Sequence, residues 1–264
     1  MKKIIFTDLD GTFLNHHDYS FQDSAESLQK VKLLNIALIF TTSKTKIEVE
    51  LLQKKVEICE PFIVENGAAL FIPRNYQNLN LDSLDDFEEY KILQFGQPYQ
   101  KILEFYNEHK VEFKMRGFSD MSDEELSKLT SLHVKSVKFS KMRDFSEPFI
   151  LDDESRVDEL KRVASTCNLK ITKGGRFYHL IGENQDKGIA VRKSVELFEK
   201  LYGEKITSIA LGDGENDVEM LKSVDVPIVI KNHKNEHLHV ERFDLQKSTF
   251  QGSKGWNEMV LKNV

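Results

Sequence analysis

The sequence predicts an α/β fold, a parallel sheet alternating with helices and interrupted midway by a separate α+β unit. Three observations predict it. Short apolar runs such as Ile4-Ile5-Phe6 and Ile36–Phe40 alternate with stretches of helical period. The pattern changes between about Leu81 and Leu180, where strand and helix signals no longer alternate one for one. It then returns after Gly188. The expected division is 1–82 and 184–264 for the two parts of the parallel-sheet domain, with 83–183 inserted between them.

In chain order, Lys3–Thr7 reads as a buried strand. Ser20–Leu34 reads as a helix, with Ala25, Leu28, Val31 and Leu34 on one face. Ile36–Thr41 is a second strand and Lys44–Lys55 a second helix. Pro61–Val64 is a third strand, ending in the turn signal Glu65-Asn66-Gly67. Apolar strands joined through helices pair in parallel with right-handed crossovers. Within the insertion, Val134–Phe139, Phe149–Leu151, Leu169–Thr172 and Phe177–Ile181 read as strands. Tyr99–His109, Ser122–Thr130 and Ser155–Cys167 read as helices. Beyond it come a helix over Ile189–Tyr202, a strand over Ile206–Leu211, a helix over Asp217–Lys222 and a strand over Val226–Ile230.

The 264 residues, 40% hydrophobic and 30% charged, are those of a globular chain able to bury a large core. A net charge of −6 argues against nucleic acid or an anionic membrane as partner. No apolar stretch approaches the roughly 20 residues of a membrane span. The first residues enter a strand with no signal-peptide pattern. Cys59 and Cys167 are isolated, so no disulfide framework is expected and a cytoplasmic location is.

The chemistry concentrates where strands end, the edge at which open α/β sheets bind ligands. Asp8-Leu9-Asp10-Gly11-Thr12 follows the first strand. Two carboxylates two residues apart share one side of a strand, and such like charges need a cation or a shared proton. Thr41-Thr42-Ser43-Lys44 places hydroxyls and a cation at a strand-to-helix turn. It suits either a phosphate or plain helix capping by Thr42 or Ser43. Asp186-Lys187-Gly188 opens a helix, and its lysine is a ligand group or a solvated surface residue. Gly212-Asp213-Gly214-Glu215-Asn216-Asp217 can bring oxygen ligands to a hard ion such as Mg²⁺, or is an acidic turn with Asp217 as cap.

Taken together and in this order, Asp8–Thr12, Thr42, Lys187 and Gly212–Asp217 resemble the four motifs of the haloacid dehalogenase superfamily of phosphatases. The insertion resembles the α+β cap of its IIB (Cof-type, C2B) subgroup. The resemblance thus implies a Rossmann-like core under a cap. Arg116–Met121, Phe145–Phe149 and Gly174–Leu180 are similar to the mannosyl-3-phosphoglycerate phosphatase subfamily, as are Thr42–Thr45, Glu65–Gly67 and Gly255-Trp256. Two positions depart from it: Gly214-Glu215 stands where Ser-Pro is usual, and Ala68 replaces a second glycine.

The resemblance implies that Asp8 is a nucleophile forming an aspartyl-phosphate and that Asp10 is the general acid and base. It implies Mg²⁺ held by Asp8, Asp213 and the backbone carbonyl of Asp10, with Asp217 supporting through bound water or Lys187. Thr42, Ser43, Lys187 and Asn216 are then the phosphate-binding groups. Arg176, Gly174, Gly175, Arg116, His179 and Lys44 are candidates for holding the rest of the substrate, as is Arg143. Phe177 and Tyr178 are expected to divide into one core and one surface residue. The expected partner is a phosphorylated sugar-glycerate, and the expected state a monomer or homodimer. Other activities open at this point are a broader sugar-phosphate phosphatase, a phosphotransferase or mutase, and a sensor without turnover.

Overall fold

The computed structural model describes residues 2–130, 132–174 and 177–264. In chain order the first elements are β1 (Lys2–Thr7), α1 (Ala25–Leu33), β2 (Ala37–Thr41), α2 (Lys46–Val56), β3 (Phe62–Val64) and β4 (Ala69–Pro73). Then follow β5 (Asp85–Phe87), β6 (Tyr90–Gln94), α3 (Tyr99–His109), β7 (Met115–Gly117), α4 (Asp123–Thr130), α5 (Val134–Ser140) and β8 (Glu147–Leu151). The last are α6 (Val157–Thr166), β9 (Leu169–Gly174), β10 (Phe177–Gly182), α7 (Lys187–Tyr202), β11 (Ile206–Gly212), α8 (Val218–Lys222), β12 (Val226–Lys231), β13 (Gln246–Gln251) and α9 (Gly252–Asn263).

A nine-stranded sheet runs β13-β12-β11-β1-β2-β3-β4-β6-β5. From β13 to β3 every pairing is parallel, and β4, β6 and β5 extend the sheet antiparallel. The alternation of β1 shows why its apolar run is continuous: Ile5 packs with Phe13, Phe40 and Trp256 on one face, Ile4 and Phe6 with Ile39 and Phe198 on the other. A parallel strand covered by helices on both faces has no solvent side to make polar.

The inserted unit is a four-stranded antiparallel sheet, β7-β8-β10-β9. One face buries Tyr178, Phe149 and Leu180 against Ile102, Tyr106 and Leu160 of α3 and α6. On the other, Phe118, Met121, Leu126 and Val137 form a smaller cluster that Phe177 joins. Both aromatics of the expected core-and-surface pair therefore pack, Phe177 edge-on to Phe118 at 4.9 Å.

Residues 134–139, expected as a strand, are helical. Val134, Val137 and Ser140 recur every third residue, and only Val137 and Ser140 of that row are buried. The β-branched content suggested a strand. The His133 imidazole caps the helix by accepting from the Lys135 amide at 3.2 Å, and Val137 packs on Leu126. The expected junction at 82/83 precedes β5 and β6, which belong to the large sheet, so we propose that the insertion begins after Gln94.

The chain crosses out at Gly96-Gln97 and back at Gly182, and the two crossings touch. The buried Gln185 side chain accepts from the Gly182 amide at 3.0 Å and donates to the Glu65 carbonyl at 2.6 Å. A Cβ on Gly96 would lie 2.7 Å from the Gln185 Oε1. The Glu65 carboxylate, fully buried, takes the amides of Asp144 and Phe145 and the Ser146 hydroxyl at 2.8, 3.2 and 2.6 Å. One turn of the large sheet thus clasps both the hinge and the body of the inserted unit.

Candidate active site

β1 ends at Thr7 between β11 and β2, so Asp8 emerges at the carboxyl edge of the sheet, its amide donating to the Leu211 carbonyl at 2.9 Å. Gly11 then turns with φ +88°, and a Cβ there would lie 2.6 Å from an Asp213 carboxylate oxygen. Only glycine lets the first strand's loop press this closely against the loop after β11. Thr12 Oγ1 joins the two loops by donating to Asp213 Oδ1 at 2.7 Å.

Lys187, the first residue of α7, is 1% exposed, which excludes a solvated surface role. Its Nζ lies 2.5 Å from Asp8 Oδ1 and 2.7 Å from Asp217 Oδ1. The second Asp217 oxygen accepts the amides of Asp213 and Gly214, both at 3.0 Å. Asp217 is therefore committed to Lys187 and to closing the turn, rather than to capping α8. Asp186 caps α7 through the Ile189 amide at 2.7 Å.

Thr42 is buried, with its Oγ1 accepting from the Lys44 amide at 3.2 Å. The cap of α2 is neither Thr42 nor Ser43 but Thr45, in a reciprocal box with Glu48. Lys44 Nζ pairs with Asp10 Oδ2 at 2.9 Å, while Asp10 Oδ1 is buried without a partner among the described residues. Asn216 donates to Asn66 Oδ1 at 3.0 Å, tying the acidic loop to the Glu65-Asn66-Gly67 turn.

Burial pushes Asp8 up to about 7, with Lys187 opposing and Asp217 and Asp10 adding to the rise. Burial likewise raises Asp213 well above the carboxylate range, and Asp8 and Asp217 reinforce it. Burial works against the Lys187 ammonium, but Asp217 and Asp8 outweigh it and hold the group charged. Carboxylate oxygens of Asp8, Asp213 and Asp217 lie within 4.8 Å of one another. Four carboxylates, counting Asp10, face two ammonium groups, Lys187 and Lys44. The surplus of two negative charges in a desolvated, all-oxygen site fits a hard divalent cation. With Asp217 spoken for, Asp8 and Asp213 are the groups able to hold it.

The inserted unit roofs this edge over a cavity of about 590 Å³ lined by Asp8, Asp10, Lys44, Asp213, Phe118 and His179, among others. His179, buried on β10, has an Nδ1 without a partner among the described residues, and burial followed by Arg143 holds its ring neutral, down to about 3. Arg143 donates to the Ser43 carbonyl at 3.2 Å and to Ser146 Oγ at 3.0 Å, so it bridges cap and core. Arg116 is not brought here: it is paired to Glu125 at 2.5 Å and Asp152 at 3.3 Å, away from the lining. Gly174 ends β9, and Gly175 and Arg176 lie outside the described residues. The sequence reading took Glu65-Asn66-Gly67 only as a turn and missed the Glu65 clasp; the structure gives all three residues positive φ, and no local sequence signal names the distant partners.

A family model of haloacid dehalogenase-like hydrolases matches residues 5–247. The chain belongs to that family. This hydrolase is 48% identical to a glucosyl-3-phosphoglycerate/mannosyl-3-phosphoglycerate phosphatase of Persephonella marina, over 98% of this chain and 96% of the other. It is 37% identical to a protein of the same description from Methanococcoides burtonii, over 99% and 97%. In fold the hydrolase is similar to a crystal structure from Thermoplasma acidophilum, with a TM-score of 0.69 at 17% identity over 99% of this chain and 98% of the other. No helix among its described residues is long and apolar enough to cross a membrane.

Proposed function

We propose that this hydrolase is a Mg²⁺-dependent phosphatase of glycosyl-3-phosphoglycerates, releasing the glycosylglycerate and phosphate. The observation that carries the reaction is the buried Asp8 carboxylate held by Lys187 beside Asp10, whose Oδ1 has no partner among the described residues. The names of the relatives, mannosyl- and glucosyl-3-phosphoglycerate phosphatase at up to 48% identity, support the substrate.

In this reading Asp8 attacks phosphorus, and an Asp8–phosphorus bond forms as the bond to the substrate oxygen breaks. Asp10 gives that leaving oxygen its proton, then takes one from the water that cleaves the aspartyl-phosphate and regenerates Asp8. Lys44 Nζ, 2.9 Å from Asp10 Oδ2, orients that carboxylate and leaves its other oxygen for the proton. Lys187, Thr42, the backbone at Ser43 and Asn216 hold phosphoryl oxygens, Lys187 matching charge that spreads over them in the transition state. Asp8 and Asp213 would hold Mg²⁺ with the Asp10 carbonyl, and the ion supplies charge neutralisation and alignment of the phosphoryl group. Arg143 and the neutral His179 face the glycerate and sugar from the cap. Their different chemistry, a fixed cation and an imidazole, suits a carboxylate beside hydroxyls. Arg176 remains a proposed carboxylate ligand.

Every proposed group comes from one chain, so a monomer or homodimer would each hold whole sites. The two exposed free cysteines, Cys59 and Cys167, support the cytoplasm as its compartment. The test is phosphate release with Mg²⁺ on mannosyl- and glucosyl-3-phosphoglycerate beside simple hexose phosphates. We expect kcat/KM at least about a hundredfold higher on the glycerate esters, the scale of a site whose buried polar groups need the missing part. Comparable rates on hexose phosphates would overturn the substrate assignment and leave the phosphatase.

A further inference from the structure

Gly255-Trp256 has no place in the phosphoryl chemistry, yet the chain's single tryptophan is buried completely and bonded to the residue before Asp8. Its indole Nε1 donates to Thr7 Oγ1 at 3.0 Å, across 249 positions of sequence. The Thr7 hydroxyl in turn donates to the Asp8 carbonyl at 2.8 Å. We propose that Trp256 and Thr7 are positioning residues: the indole N–H orients the Thr7 hydroxyl, which fixes the peptide that carries the attacking carboxylate. The proposal rests on Asp8 being the nucleophile.

The direction of the relay follows from its chemistry. An indole N–H only donates, so the Thr7 oxygen must accept, and its own proton goes to another acceptor. Thr7 is fully buried, and the Asp8 carbonyl is the acceptor its hydroxyl meets. The other restraints on the Asp8 main chain are its amide bond to Leu211 and a longer contact, 3.4 Å, from the Phe13 amide. At a fully buried position a chain of hydrogen bonds is strengthened by polarisation. A tryptophan serving only as core filler would bury its ring wherever its N–H could be satisfied. Here Phe13 fixes the ring edge-on at 5.0 Å. Gly255 is needed for the approach, because a Cβ there would lie 2.2 Å from the Phe250 carbonyl. The N–H then lands on the residue before the nucleophile.

The experiment uses p-nitrophenyl phosphate with Mg²⁺, in steady state and in single turnover, on Thr7→Val, Thr7→Ser, Trp256→Phe, the Thr7→Val/Trp256→Phe pair and Asp8→Asn. Rates are taken well below each variant's melting temperature and scaled to folded protein. Thr7→Val should lower kcat and the single-turnover rate about tenfold, about 1.4 kcal/mol in the barrier, with KM within about twofold. Thr7→Ser should restore the rate to within about twofold. Trp256→Phe should cost about threefold, and the pair should be no slower than Thr7→Val alone, because both variants break one relay. Full activity of folded Thr7→Val, or independent and multiplicative losses in the pair, overturns the proposal. Should Thr7→Val not fold, Trp256→Phe decides, and an unchanged kcat there overturns it. An active Asp8→Asn would instead remove the nucleophile assignment, and the relay with it; an inactive Asp8→Asn beside an unimpaired Thr7→Val removes the relay alone.

Discussion

On the core wall of the cavity, Asp8 and Asp217 share Lys187 and Asp10 is paired with Lys44. The wall supplied by the inserted unit presents Phe118, Pro148 and Phe177, with Arg143, a neutral His179, Thr130 and Ser140 among its polar groups. The first wall is fixed by charge pairs that reach across four separate loops. Among the described residues the first leaves open Asp10 Oδ1, the oxygen assigned to move the proton, and the second leaves open an imidazole nitrogen that faces the substrate. Groups that do chemistry must be oriented before the substrate arrives, whereas groups that select it must keep a valence open. The two walls divide those tasks.

Breaking the core wall should have the largest effect. Asp8→Asn is expected to lower kcat by about a thousandfold or more with the far-ultraviolet circular dichroism unchanged, since the nucleophile is lost and its volume kept. Asp213→Asn should raise the Mg²⁺ concentration for half-maximal activity at least about tenfold, read by titrating metal into chelator-treated protein. Both results would place the chemistry on one side only. A cap variant with losses as large on p-nitrophenyl phosphate would erase the distinction.

The cap wall should respond in KM and in pH rather than in chemistry. His179→Gln is expected to raise KM for glycosyl-3-phosphoglycerates about tenfold, with kcat on p-nitrophenyl phosphate within about twofold. The same residue makes stability depend on pH. An imidazole near 6.5 when unfolded and about 3 when folded binds a proton only in the unfolded chain between those values. Its contribution is full above pH 6.5 and is lost as pH falls toward 3, at up to about 1.4 kcal/mol per pH unit. Urea unfolding between pH 7 and 5 should therefore be flatter in His179→Gln than in the parent. Arg116→Ala, ion-paired outside the cavity, should change kcat/KM less than about twofold and stability by about 0.5 kcal/mol or less.

What the sequence disclosed followed the same division. Asp8, Asp10, Lys187 and Asp213 stood out as a set, because in chain order they resembled the family's four motifs, while Lys187 alone also read as a surface residue and Gly212–Asp217 alone as an acidic turn. The alternating strands and helices around them carried the parallel sheet. The Glu65 clasp was not legible, because its partners Asp144–Ser146 are some 80 positions away. The antiparallel β4 and β6 were missed for a related reason, since their pairing spans the turn-rich 74–89 segment. At 134–139, β-branched content suggested a strand, but Val137 packs on Leu126 and Ser140 is buried three residues on, as a helix places them. α9 begins with Gly252, Ser253 and Gly255, poor helix formers, and exists because Trp256, Met259 and Val260 are buried.

The shared staple at Gln185 has a consequence for how such a molecule can change. The entry and exit of the inserted unit lie side by side, so the nine-stranded sheet sees the roof as a single short loop, whatever its length. A segment with adjacent ends can be exchanged without reregistering the strands beneath it. The reaction and its selectivity are then separable parts of one chain, and a transplanted roof that keeps the Gln185 and Glu65 contacts would redirect the same attacking carboxylate to a different ester.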